Sequence, residues 1–178
     1  MAGFFRGLGG RLLVVLCALS LVSCASVIED IRKAQDAGDT HKLRKFLEDE
    51  RSFVRERTLR AFEHTGAPTI VEDEKFVKDF LIACLTDPAE KPWVKKECAI
   101  TIATWRMEQA VDDLADGYAA MDDADARFWM LVALSTFEGA RIRSVLQSAT
   151  DDPDFYVSAL ARQLVIEGKA MSIPSIQP

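Results

Sequence analysis

Four segments of this chain repeat one apolar spacing, and that spacing restricts how the chain can bury itself. Val54, Thr58, Ala61 and Phe62 stand at i, i+4, i+7 and i+8, one face of a helix. The spacing recurs with Val94, Cys98, Thr101 and Ile102, with Trp129, Ala133, Thr136 and Phe137, and with Val157, Ala161, Leu164 and Val165. The origins lie 40, 35 and 28 residues apart, close to the length of a helical hairpin. Alternating β-branched runs are missing, and Asp116-Gly117 is not flanked by strand-like sequence, so it does not read as a hairpin turn. The fold class is therefore all-α. Helices are expected over Val27–Ala37, His41–Glu48, Ser52–His64, Asp73–Leu85, Trp93–Trp105, Gln109–Ala120, Ala124–Phe137, Arg141–Ala149 and Asp154–Glu167. Gly117 is an alternative stop for the sixth.

Stop and start signals support these segments. Gly66, Gly139 and Gly168 follow helical patterns as C-terminal glycines, while Pro92 and Pro153 suit a first helical turn. Asp152 is the expected N-cap of the last helix, its carboxylate accepting from unpaired amides. An acidic turn precedes each striped helix: Glu48-Asp49, Asp87-Pro88, Asp122-Asp123 and Asp151-Asp152-Pro153. In the first two units a basic residue follows the leading valine, as Val54-Arg55 and Val94-Lys95; Met130 and Ser158 stand there in the later two.

This order of acidic turn, valine, basic residue and mixed small and large apolar residues resembles the HEAT repeat over about residues 40–168. The resemblance implies a short right-handed α-solenoid of about four HEAT-like helical hairpins. In that family the turn aspartate and the basic residue bond neighbouring repeats. A hairpin cannot bury both its apolar faces alone, so it must stack on a neighbour. Val27, Ile28 and Ile31 make the first helix a cap for the open amino-terminal end. The expected organisation is a leader at 1–23, an anchor and capping helix at 24–39, the repeat domain at 40–168 and a flexible tail at 169–178.

The leader has its own logic. Arg6 and Arg11 form a positive start, and Leu12 to Val22 is apolar apart from Ser20. Eleven residues are too few to span a bilayer as a free helix, but they suit a signal-peptide core. The closing Leu21-Val22-Ser23-Cys24 resembles the lipobox of bacterial lipoproteins. That resemblance implies cleavage before Cys24, diacylation of its thiol and usually acylation, such as with palmitate, of the new amino terminus. Two or three acyl chains make a stable tether where one is marginal. The resemblance also implies sorting: alanine rather than aspartate after Cys24 favours the outer membrane, facing the periplasm. A Gram-positive surface is the alternative. An uncut signal anchor is the competing reading of the leader itself.

The chain has 22 Lys and Arg against 28 Asp and Glu, a net charge of −6. Cleavage before Cys24 removes two arginines and no acid, moving the charge to −8. That balance argues against nucleic acid or an anionic membrane face as the general partner. The two halves differ. From Glu108 to Asp154 only Arg127, Arg141 and Arg143 oppose eleven acids, whereas Arg32 to Arg106 is nearly neutral.

Few residues suggest chemistry. Cys84 and Cys98 are the cysteines left after Cys17 departs and Cys24 is acylated. Both fall on core stripes, in a compartment where a disulfide is open to them. Helical rise offsets them along neighbouring axes, so two buried free thiols are expected rather than a bridge. His64 reads as a helix-end residue and His41 as solvated. Asp122, Asp123 and Asp125 lack the glycine and distant glutamate of a calcium loop. No nucleophile elbow, phosphate loop or zinc pattern is present. Trp129 reads as core; Trp93 and Trp105 are partly exposed helix-end residues.

The sequence thus reads as a non-enzymatic, protein-binding scaffold or assembly factor of the bacterial envelope, without cofactor or metal. Some HEAT-like proteins are bilin lyases or their chaperones, so an enzyme is the alternative, and a purely structural lipoprotein a third. The expected partner site is a basic strip of Arg55, Arg60, Lys95 and Lys96, aligned by stacking and suited to an acidic protein segment.

Overall fold

A computed structural model describes residues 26–167. The leader, Cys24, Gly168 and the 169–178 tail lie outside the described residues. Described residues are all-helical and contain no strand. Helix α1 covers residues 26–36. It is followed by α2 (Thr40–Phe46), α3 (Ser52–Thr65), α4 (Val71–Thr86), α5 (Pro92–Thr104), a 3-10 turn (Glu108–Ala110), α6 (Val111–Ala119), α7 (Ala124–Leu134), α8 (Ala140–Ala149) and α9 (Phe155–Glu167).

Contacts sort these helices into two layers. α2, α4, α6 and α8 touch in succession, as do α3, α5, α7 and α9; each member of the first layer also packs on the helix that follows it. Four helical pairs therefore lie side by side around a shared core. α1 adds Ile31 and Ala34 to that core, with Val27 and Ile28 partly buried against it.

The stripe is present, but its third register differs from expectation. In each second-layer helix the third residue is buried: Val54, Val94, Ala126 and Val157. Thr58, Cys98, Met130 and Ala161 follow four residues on, then Ala61, Thr101, Ala133 and Leu164, all buried. These origins are 40, 32 and 31 residues apart. Trp129 drew the sequence register because it is large and apolar. It instead lies partly buried at the flank, its ring edge-on to Phe128 at 5.8 Å. Small Ala126 takes the close contact. The basic residue is thus kept in the third unit: Arg127 is the fourth residue of α7, as Arg55 is of α3 and Lys95 of α5.

The cysteine expectation is also corrected. Cys84 and Cys98 form a disulfide, with Cα atoms 6.7 Å apart, inside the usual range for a bridge. The offset argument neglected the turn Asp87–Lys91, which carries the chain past the end of α4 before α5 descends. Cys98, six residues into α5, drops about 9 Å from its start and comes level with the last turn of α4.

α6 does not stop at Gly117 but runs to Ala119. A Cβ there would lie 3.3 Å from both the Cβ and the carbonyl oxygen of Leu85, so the missing side chain lets α6 lie against α4. Gly66 does end α3: its φ of 80° is open mainly to glycine, and its amide reaches the Phe62 carbonyl. Asp154, not Asp152, caps α9, accepting from the amides of Tyr156 and Val157 at 2.9 and 3.1 Å. Pro153 lies in the turn before that helix.

Candidate functional site

Three of the four residues expected to form a basic strip are drawn instead into the joints between hairpins. Arg55 donates from Nε and Nη2 to the two carboxylate oxygens of Glu90, at 2.8 and 2.7 Å, and from Nη1 to the Asp49 carbonyl at 2.6 Å. It therefore ties its own turn to the next. Arg60 bonds Glu97 from Nε and Nη2 at 3.1 and 2.9 Å, and meets Glu56 at 2.8 Å. Lys96 reaches Asp125 at 3.0 Å. Of the four, Lys95 alone has no such partner among the described residues. Three of these charges are neutralised by carboxylates of the next unit, so Lys95 by itself does not make a basic strip for an acidic segment.

Arg127 repeats the Arg55 arrangement. Its Nε and Nη2 hold both oxygens of Asp152 at 2.9 and 3.0 Å, while Nη1 donates to the Met121 and Asp122 carbonyls at 3.1 and 2.7 Å. Tyr118 adds its hydroxyl to Asp152 at 3.1 Å. Burial acts to raise the Asp152 carboxyl, but Arg127, the Asp154 amide and the Tyr118 hydroxyl outweigh it and hold it below the ordinary aspartate range. The same arginine went unrecognised in the sequence because the stripe was read three residues late; its distance from the Asp122-Asp123 turn was the available signal. Ser158 holds the same position in α9, and its hydroxyl donates to the Phe155 carbonyl at 3.1 Å.

The α3–α5 joint holds a different group. Glu97 is buried, and Glu63 places Oε1 where no hydrogen-bond partner meets it. Burial, then the charge and hydrogen bond of Glu97, push the Glu63 carboxyl up to about 8, against the opposing pull of Arg60. Burial also works against the Arg60 charge, yet Glu97, Glu56 and Glu63 together keep its guanidinium firmly protonated.

Other singled-out residues have structural settings. His41 is exposed, yet its Nδ1 meets buried Asp73 at 2.6 Å, linking α2 to α4. His64 is exposed in the last turn of α3. Asp123 accepts from the Ala126 amide, and Asp125 is the Lys96 partner. No group of three or more potential ligands among the described residues could hold a metal ion. Trp105 sits edge-on to Phe62 at 5.8 Å, while Trp93 is 47% exposed. Arg106 has φ 54° and donates to the Thr136 carbonyl at 2.7 Å; nothing in the sequence signalled this left-handed residue.

A cleft of about 410 Å³ opens between α8, α9 and the turn before α8, lined by Phe137, Ile142, Arg143, Leu146, Leu164 and Val165. It lies away from the Glu63–Glu97 pair. The chain matches no protein-family model and no curated protein.

Proposed function

We propose that this chain is a lipid-anchored scaffold of the bacterial envelope, a right-handed HEAT-like solenoid that binds another protein. The observation that carries the reading is the leader closing on Leu21-Val22-Ser23-Cys24, two residues before the first described helix. A tether at Cys24 joins the helical domain almost without a linker, which raises the effective concentration of its surfaces for partners on the same membrane. The Cys84–Cys98 disulfide fits an exported chain, because such bonds persist in oxidising compartments. The paired layers of helices and the repeated arginine joints favour the HEAT-like reading. Ala25 favours the outer membrane, facing the periplasm.

Catalysis has less support. The strongly shifted carboxyl, Glu63, and the cleft beside α9 belong to different parts of the molecule, so that cleft does not bring this acid to a bound substrate. The test is intact-mass analysis of the chain isolated from bacterial membranes. The expected product starts at Cys24 and carries acyl chains, while Cys24→Ser accumulates as uncut precursor. A mature chain with an unmodified amino terminus overturns the anchor.

A further inference from the structure

The joint made by Arg127 builds an edge whose exposed chemistry the scaffold itself does not use. Phe155 and Tyr156, the first two residues of α9, are 73% and 71% exposed, their rings edge to face with centroids 5.6 Å apart. Scattered exposed apolar residues are ordinary; two adjacent aromatic side chains this bare, at the start of the last helix, form a platform. The equivalent first positions hold Ser52, Pro92 and Ala124 and the second positions Phe53, Trp93 and Asp125, so Phe155 is the aromatic without a counterpart in the other units.

The surroundings specify what would cover it. Arg127 pins the turn before α7 to the turn before α9, bringing exposed Asp122, Asp123 and Asp151 to one edge with Asp154. The cations here are engaged: Arg127 by Asp152 and two carbonyls, Lys96 by Asp125, and exposed Arg162 by the Thr150 carbonyl beside Asp151. Carboxylates that outnumber the cations facing them, beside bare aromatic rings, are complementary to an ammonium or guanidinium carried next to apolar groups. A second copy would bring the same acids together, and an anionic lipid surface would be repelled.

We infer that this edge docks a protein segment in which lysine or arginine alternates with apolar side chains. The inference rests on the protein-binding reading but not on acylation of Cys24. The test titrates the full-length chain, in zwitterionic detergent, with a soluble Lys-Ala-Leu peptide and follows the amide resonances. Shifts should concentrate at Asp122–Ala126 and Asp151–Val157, and a matched Glu-Ala-Leu peptide should produce none. Phe155→Ser with Tyr156→Ser should weaken binding about tenfold without altering net charge. Asp122→Asn with Asp151→Asn should weaken it several-fold and flatten its salt dependence, whereas Glu48→Gln with Glu108→Gln should leave it unchanged. Unaltered affinity in the aromatic variant, or equal loss in both charge variants, overturns the proposal. Shifts at these amides that follow protein or detergent concentration without peptide, in the absence of peptide binding, assign the edge to a second copy or a lipid surface and also overturn it.

Discussion

Between α3 and α5, Arg60 faces the carboxylates of Glu56, Glu97 and Glu63; between α7 and α9, Arg127 meets Asp152 and takes two carbonyl oxygens besides. Both joints use an arginine from the second layer to reach the next unit. The carboxyl-half joint is balanced: every arm of the guanidinium has an acceptor, and the partner carboxylate gains an amide and a phenol. Its amino-half counterpart has one cation for three acids, and the surplus appears as a carboxyl that prefers to stay protonated. A repeated scaffold can therefore carry joints with opposite responses to pH.

The largest effect should come from breaking the balanced joint. Arg127→Ala strands a buried carboxylate and two carbonyl oxygens, at a cost of about 4 kcal/mol, read by urea unfolding at pH 7. Lys95→Ala, at the same helical position but without a described partner, should change stability by less than about 0.5 kcal/mol. Equal losses would erase the distinction drawn between the two positions. Because Asp152 titrates below its ordinary range, its contribution is complete above about pH 4 and fades as pH falls through the lower folded value.

Next is the disulfide, which reinforces only the amino half. Replacing Cys84 and Cys98 by alanine, or reducing them, should cost about 3 kcal/mol for a loop of this length. Unfolding midpoints that are the same with and without reductant would contradict that.

Glu63→Gln sharpens the contrast between the joints. Folding raises the Glu63 carboxyl to about 8, so the folded chain holds a proton that the unfolded chain releases from about pH 4.5 upward. Stability from this group is full at low pH and falls until pH passes about 8. The glutamine variant should match wild type near pH 4 and exceed it by roughly 2 kcal/mol at pH 9, the cost of a buried charged oxygen without a partner. A parallel pair of pH–stability curves would remove the protonation argument.

A smaller loss than at either joint or at the disulfide is expected at the α4–α6 contact. Gly117→Ala gains helix propensity but pushes a methyl group against buried Leu85. A net loss of about 1 kcal/mol is expected, measured by thermal unfolding; a gain would show that the contact yields freely.

Helix positions and the paired arrangement were readable because periodicity records which face is buried. The third register was not: size drew attention to Trp129, while close helix approach selected Ala126. The cysteine bridge was missed because a turn's path in space is not written in helical rise. Charge pairing was missed for a related reason. Arg60 and Glu97 are 37 residues apart, and only stacking makes them neighbours. The exposed aromatic pair was visible as residues, but apolar character alone does not tell an exposed ring from a buried one.

Ser158 bears on which of the described joints are fastened by charge. At the position where Arg55 and Arg127 reach forward, it turns its hydroxyl back to the Phe155 carbonyl. The second unit, with Lys95, has no described partner there either, so the arginine latch fastens alternate joints only. One small side chain leaves the outward side of the fourth described unit without a forward-reaching charge, and any neighbour packed there would be held by apolar contact instead.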